Sequence, residues 1–215
     1  MKKLLVVLFI IILSSALQAQ FIRGYGIKVG ATISSQDWEY SNLSGISSAS
    51  FDSDNRLGLN IGVYAELLNI PFFSVVAELN YLQKGMELDG PITTVDNPIG
   101  TSQSTTWDTR IDYINLSALG KLRLNYGLLS PYIVAGPKMD FEINKESSFG
   151  SENEVESKFE ENRLGFKVGV GTEIKLLAFN VLAEIIYDAD FNELFENENL
   201  KVNTNSFDLR VGLLF

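Results

Sequence analysis

The chain has 215 residues, enough for one domain, and a formal charge of −10 from 17 lysines and arginines against 27 aspartates and glutamates. It contains no cysteine and no histidine, which excludes a disulfide scaffold, a thiolate metal site, a lipidated cysteine and catalysis built on imidazole. The acidic balance argues against a nucleic-acid partner, which needs a basic surface to displace counterions from phosphates.

The first element in chain order reads as a leader. Lys2 and Lys3 precede an unbroken apolar run from Leu4 to Leu13, followed by Ser14, Ser15, Ala16 and Ala19. That is the pattern of a cleavable signal peptide over 1–19, shorter than the ~20 residues of a spanning helix. Cleavage after Ala19 fits; cleavage after Ala16 is the alternative, because Leu17 is large for its position. The mature domain is then 20–215, two charges more negative than the full chain.

From there the period is two. Tyr25-Ile27-Val29-Ala31-Ile33 alternates with glycines and polar residues, and so does Leu57-Leu59-Ile61-Val63-Ala65-Leu67. The pattern returns in Phe73-Val75-Ala77-Leu79-Tyr81, Ile114-Leu116-Ala118-Gly120-Leu122-Leu124 and Ile133-Ala135-Pro137-Met139-Phe141. Three more runs follow: Leu164-Phe166-Val168-Val170-Thr172-Ile174, Phe179-Val181-Ala183-Ile185-Tyr187 and Phe207-Leu209-Val211-Leu213-Phe215. Alternation places one apolar and one polar face on each strand, over about the ~9–11 residues that cross a bilayer at a tilt. Short connections fall at Asn69-Ile70-Pro71, Asn125-Tyr126-Gly127 and Leu177-Ala178. Long polar ones run roughly from Gln36 to Arg56, Gly85 to Arg110, Asn144 to Asn162 and Asn192 to Asn205. Long and short alternate. The expected fold is all-β: an eight-stranded antiparallel up-and-down transmembrane β-barrel, short turns periplasmic and long loops outside.

Alternation alone does not say which face is outside, since a soluble lipocalin-like barrel turns its apolar face inward. Glycines on the polar face suit a narrow lumen. Phe21, Phe72, Phe73, Tyr81, Tyr113, Tyr126, Tyr132, Phe141, Tyr187 and Phe215 lie near run ends, as interface girdles do. The last strand closes on Phe215, which resembles the C-terminal signal read by the machinery that inserts outer-membrane barrels.

Four stretches carry a family resemblance. They are Ala77-Glu78-Leu79-Asn80-Tyr81-Leu82-Gln83-Lys84-Gly85, Asp112-Tyr113-Ile114-Asn115-Leu116 running to Lys121, Pro131-Tyr132-Ile133-Val134-Ala135-Gly136-Pro137, and Ala183-Glu184 before Tyr187. With Phe215, these resemble the PorT-like outer-membrane β-barrel family, in which a proline often stands at the position of Ser117. The resemblance implies the fold and the bacterial outer membrane. Some relatives are associated with secretion or gliding machinery, and a shared fold does not transfer that activity.

The distinctive candidate residues are charged and on the polar face: Lys28, Glu66, Glu78, Lys84, Lys121, Arg123, Lys138, Asp140, Lys167, Glu173, Lys175, Glu184, Asp188, Asp208 and Arg210. An eight-stranded barrel is only wide enough for side chains to fill its interior, so such charges must pair. They read as a salt-bridge plug, with a narrow ion path as the alternative. Glu173 and Glu184 could in principle do acid/base work, but nothing in their spacing marks them out. Acidic residues crowd the third long loop (Glu146, Glu152, Glu154, Glu156, Glu160, Glu161) and the fourth (Asp190, Glu193, Glu196, Glu198). They suit a solvated surface or divalent-cation bridges to lipopolysaccharide. Phe159 and Phe195 in these loops suit either partner contact or loop packing. The sequence thus leads to a non-catalytic barrel without cofactor or metal, acting through its long loops in interaction or adhesion, or as an envelope or secretion-associated component. A small pore and a periplasmic ligand-binding barrel are the competing readings. The expected partners are outer-membrane lipid and lipopolysaccharide, the insertion machinery during biogenesis, and a protein at the extracellular loops.

Overall fold

The computed structural model describes residues 21–43, 46–68, 70–91, 104–148, 158–196 and 199–215. The leader expected over 1–19 lies outside them. Ten strands form among the described residues: β1 Ile22–Leu43, β2 Ile46–Asp52, β3 Arg56–Leu67, β4 Phe73–Pro91, β5 Ser104–Arg123, β6 Leu129–Ser147, β7 Asn162–Lys175, β8 Asn180–Asp190, β9 Phe195–Glu196 and β10 Leu200–Leu214. Neighbours in the sheet are antiparallel, and β1 also pairs with β10 from Gly26↔Leu214 to Tyr40↔Leu200. That pairing closes a ring of eight strands, with β2 and β9 as short additions above it. Closure removes the open sheet edges that hydrocarbon does not tolerate.

The ring settles the question that periodicity leaves open. The apolar residues of the alternating runs face outward, among them Ile27, Leu57, Val63, Leu122, Ile133, Val170, Ile185 and Val211, all exposed. Charged and amide side chains face inward and are buried. Two groups of outward aromatics mark the ends of the apolar belt. Tyr25 and Phe179 each approach Phe215, at 6.5 and 6.4 Å, near the short turns; Phe166, Tyr187, Phe191 and Phe207 form a chain of contacts at 5.1–6.4 Å at the other end. Tyr113 and Tyr132, expected in the girdles, are instead inside the lumen, 1% and 4% exposed. Each shares the inward parity of its strand, and its phenol finds charged neighbours there.

Turns and bulges follow local chemistry. Gly127 takes φ +63° in the β5–β6 turn, a left-handed conformation that glycine adopts without penalty. A bulge in β6 places the extra residue Ile143 opposite the step from Asp112 to Tyr113, where Ile111, Asp112 and Tyr113 are all buried. The long connections contain much more strand than expected. β1, β4, β5 and β6 run on beyond the belt as paired hairpins, and β2 and β9 add to them. Trp38, Tyr40, Thr105, Thr106, Trp107 and Thr109 supply β-forming side chains there.

Candidate functional site

The inward side chains stack in three ionic layers. Nearest the short turns, Arg23 donates to Glu66 at 2.5 Å and to Glu173 at 2.9 Å. Lys121 bridges the same two carboxylates, Arg123 reaches Glu66 at 2.5 Å, and Ser74 donates to Glu66 at 2.5 Å. In the middle, Lys28 donates to Glu78 at 2.6 Å and Glu184 at 2.9 Å. Arg210 straddles the same pair at 3.0 and 2.8 Å. Tyr132 ties the two layers together: its hydroxyl donates to Glu184 at 2.8 Å, and Lys121 lies 4.0 Å above its ring. In the outer layer Lys84 donates to Asp140 at 3.0 Å and Asp188 at 2.7 Å. Lys138 meets Asp140, Asp188 and Asp190; Lys167 donates to Asn115 at 2.7 Å and lies 3.7 Å from Asp188. Asn80 donates to Glu78 and Asn115, and Asn115 to Asp140, so hydrogen bonds run on from the middle layer to the outer one.

Glycines make room for the large groups. An added methyl on Gly171 would stand 2.5 Å from Tyr132 Cζ, and one on Gly26 2.7 Å from the Tyr64 ring. Tyr64 in turn lies under the Lys28 ammonium at 4.5 Å.

Of the fifteen charged residues singled out from the sequence, fourteen are buried in the barrel. Asp208 is bonded by Thr32 at 2.6 Å, apart from the layers. Lys175 is the correction. It follows Glu173 on the same face, but the strand ends there, and its ammonium reaches Asn125 in a short turn at 2.9 Å. Three further ionic members, Arg23, Arg163 and Asp190, join the network without having been singled out for it from the sequence. Arg23 is turned inward by the register shift between Ile22 and Gly24. Arg163, wholly buried, pairs with Asp190 and donates to Thr204 at 3.3 Å. Both have the inward parity of Lys167 and Asp188 but sit at strand ends that look like loop.

Above the ionic layers the lumen turns apolar. Trp38, Leu82, Met86, Ile111, Tyr113, Leu200 and Val202 form a cup, and Phe159, Leu194 and Phe195 fold in from two long connections to fill it. The Glu160 N–H donates to the Leu194 carbonyl at 2.9 Å, and the Glu142 N–H to the Glu161 carbonyl at 2.8 Å. These bonds hold the lid in place. Phe159 and Phe195 are thus packing residues of the lid.

One carboxylate cluster tests the chain for a metal. Asp140, Asp188 and Asp190 bring ligand atoms within 4.8 Å of one another. Lys138 touches all three and Arg163 caps Asp190. Cationic side chains occupy the place a metal would take, so this donor set does not fit one.

With this geometry in view, residues 18–196 match the family of the outer membrane protein beta-barrel domain. The chain belongs to that family. Its place is the bacterial outer membrane, and the rule for such barrels puts the short turns in the periplasm and the lid at the cell exterior. Among solved structures it is similar to the outer membrane protein OprG from Pseudomonas aeruginosa, at 12% identity and TM-score 0.51, over 91% of this chain and 97% of that one. It also resembles Neisserial surface protein A, at 13% identity and TM-score 0.45 over 88% and 95%. A third similar structure is the Escherichia coli outer membrane protease OmpT, at 8% identity and TM-score 0.46 over 90% and 96%. At these identities the likeness concerns the fold. No curated protein matches the sequence.

Proposed function

We propose that this family member is a non-catalytic outer-membrane barrel whose lumen is plugged, and which acts through its extracellular hairpins in interaction or adhesion, within the PorT-like branch. The observation that carries this reading is the filling of the lumen: three ionic layers below and an apolar lid above. What the protein offers to the outside is then the hairpin surface. That surface is acidic, with Glu39, Asp54, Asp89, Glu146, Glu160, Glu161 and Glu196 among its solvated or partly solvated groups. A partner of basic character, or lipopolysaccharide reached through divalent cations, suits it. A serine nucleophile would have no imidazole base in this chain. Phe215, exposed at the periplasmic end and bonded through its backbone to Tyr25 at 2.9 Å, suits the role of insertion signal.

A photocrosslinking amino acid at Asp89 or Glu196, in intact cells, tests the reading. A discrete adduct absent from a control at Leu177, in a periplasmic turn, is the expected result. Equal capture from both faces, or none from the hairpins, would refute it.

A further inference from the structure

The barrel wall is not paired uniformly. β3 and β4 keep register from Leu67↔Val75 to Asn60↔Leu82, and pairing resumes at the Asp54–Glu87 bridge. Between these points the register would set Leu59 against Gln83 and Leu57 against Gly85. Side chains stand in for backbone there. The Leu59 N–H donates to Gln83 Oε1 at 3.2 Å. The Gly85 N–H donates to Ser34 Oγ at 2.9 Å, and that hydroxyl donates to the Gly85 carbonyl at 3.0 Å. Ser34 belongs to β1, so this part of β4 is bonded past β3 rather than to it. The Leu57 carbonyl receives the Arg56 guanidinium at a long 3.5 Å. Gly85 has φ +154°, and a side chain on it would collide with the Thr109 carbonyl, so the twist depends on glycine.

The height of this seam is fixed by register. Ile33 lies opposite Leu57 on one side and Phe207 on the other, and Phe207 packs with Tyr187 in the outer girdle. The seam therefore faces the boundary between acyl chains and headgroups of the outer leaflet, with Leu57 67% exposed beside it. Behind it, inside the lumen, Asn60 is wholly buried, and neither atom of its amide has a hydrogen-bond partner among the described residues. Ser206 Oγ and Asp208 Oδ2, on the same stretch of wall, are unpartnered too. Gly30 across from Asn60, and Gly58 and Gly62 two residues to either side, place no side chain beside it. A buried amide left unpaired is costly, so native proteins rarely leave one without a hydrogen-bond partner.

We infer that the β3–β4 seam is a lateral portal through which the polar head of an uncharged amphiphile of the outer leaflet reaches Asn60 and hydrogen-bonds to it, while the lumen above and below stays plugged. The head is neutral because Asn60 offers one donor group and one acceptor, while the cations on the neighbouring strands, Lys28, Lys84 and Arg210, are already paired. It carries a hydroxyl or amide to match them. Its tail stays in the acyl layer against Leu57 and Leu59, both exposed beside the seam.

The test uses full-length mature protein in lipid nanodiscs, with 1-monolauroylglycerol as the probe and the Asn60 side-chain amide followed by NMR. Saturable movement of that resonance is expected, together with amide exchange at Leu57 and Leu59 at least ~10-fold faster than at Val63 and Ala65, as unpaired backbone implies. The double variant L59C/Q83C should lose the response when oxidised and regain it when reduced, and Asn60→Leu should not bind the probe. An Asn60 amide that sees only water, a response surviving the oxidised lock, or equal protection along β3 would each overturn the portal.

Discussion

At the residue scale, the decisive fact is that the lumenal charges are shared rather than singly paired. Glu78 accepts from both Lys28 and Arg210, and Glu184 accepts from the same two cations. Glu78→Gln keeps the shape and removes the charge. It should cost about 3–5 kcal/mol of unfolding free energy, measured by urea titration in micelles, because it leaves buried cations uncompensated. Gly171→Ala acts on the same network through packing, since its methyl displaces Tyr132 from beneath Lys121 and from Glu184. A loss of about 1–3 kcal/mol in the same titration is expected. Most of these residues were legible in the sequence, because strict parity sends Lys28, Glu78 or Lys167 inward once the outward runs are known. Arg23 was not, because a register shift reverses its parity. Nor was the rim position of Lys175, which depends on where the strand stops.

At the element scale, the barrel strands announce themselves through alternation, and the extracellular hairpins do not. Those segments are polar in composition, yet pairing along β1, β4, β5 and β6 carries them on as strand. Their inward apolar positions, Trp38, Met86 and Ile111, are too widely spaced to register as runs. The lid was illegible for a further reason: Phe159 and Leu194 come from connections far apart in sequence and meet only when the ring closes. Phe159 packs edge-on against Trp38 at 6.3 Å. Phe159→Ala should destabilise by about 3–5 kcal/mol and move Trp38 fluorescence to the red. The emission is read in a Trp107→Phe background, since the chain has only 2 tryptophans.

At the scale of the whole molecule, one closed sheet separates two solvents. Lipid meets the apolar exterior between two sets of aromatics, and the lumen is filled by layers of ion pairs. An eight-stranded ring has little room for anything else. The charged interior that could pass for a channel or an active site is stoppered by its own ion pairs below and by the lid above. That claim is tested most directly by conductance of the refolded protein in planar lipid bilayers. The plugged lumen predicts a flat baseline under applied voltage, with no steady unitary steps. Reproducible steps of one size, scaling with salt concentration, would contradict it.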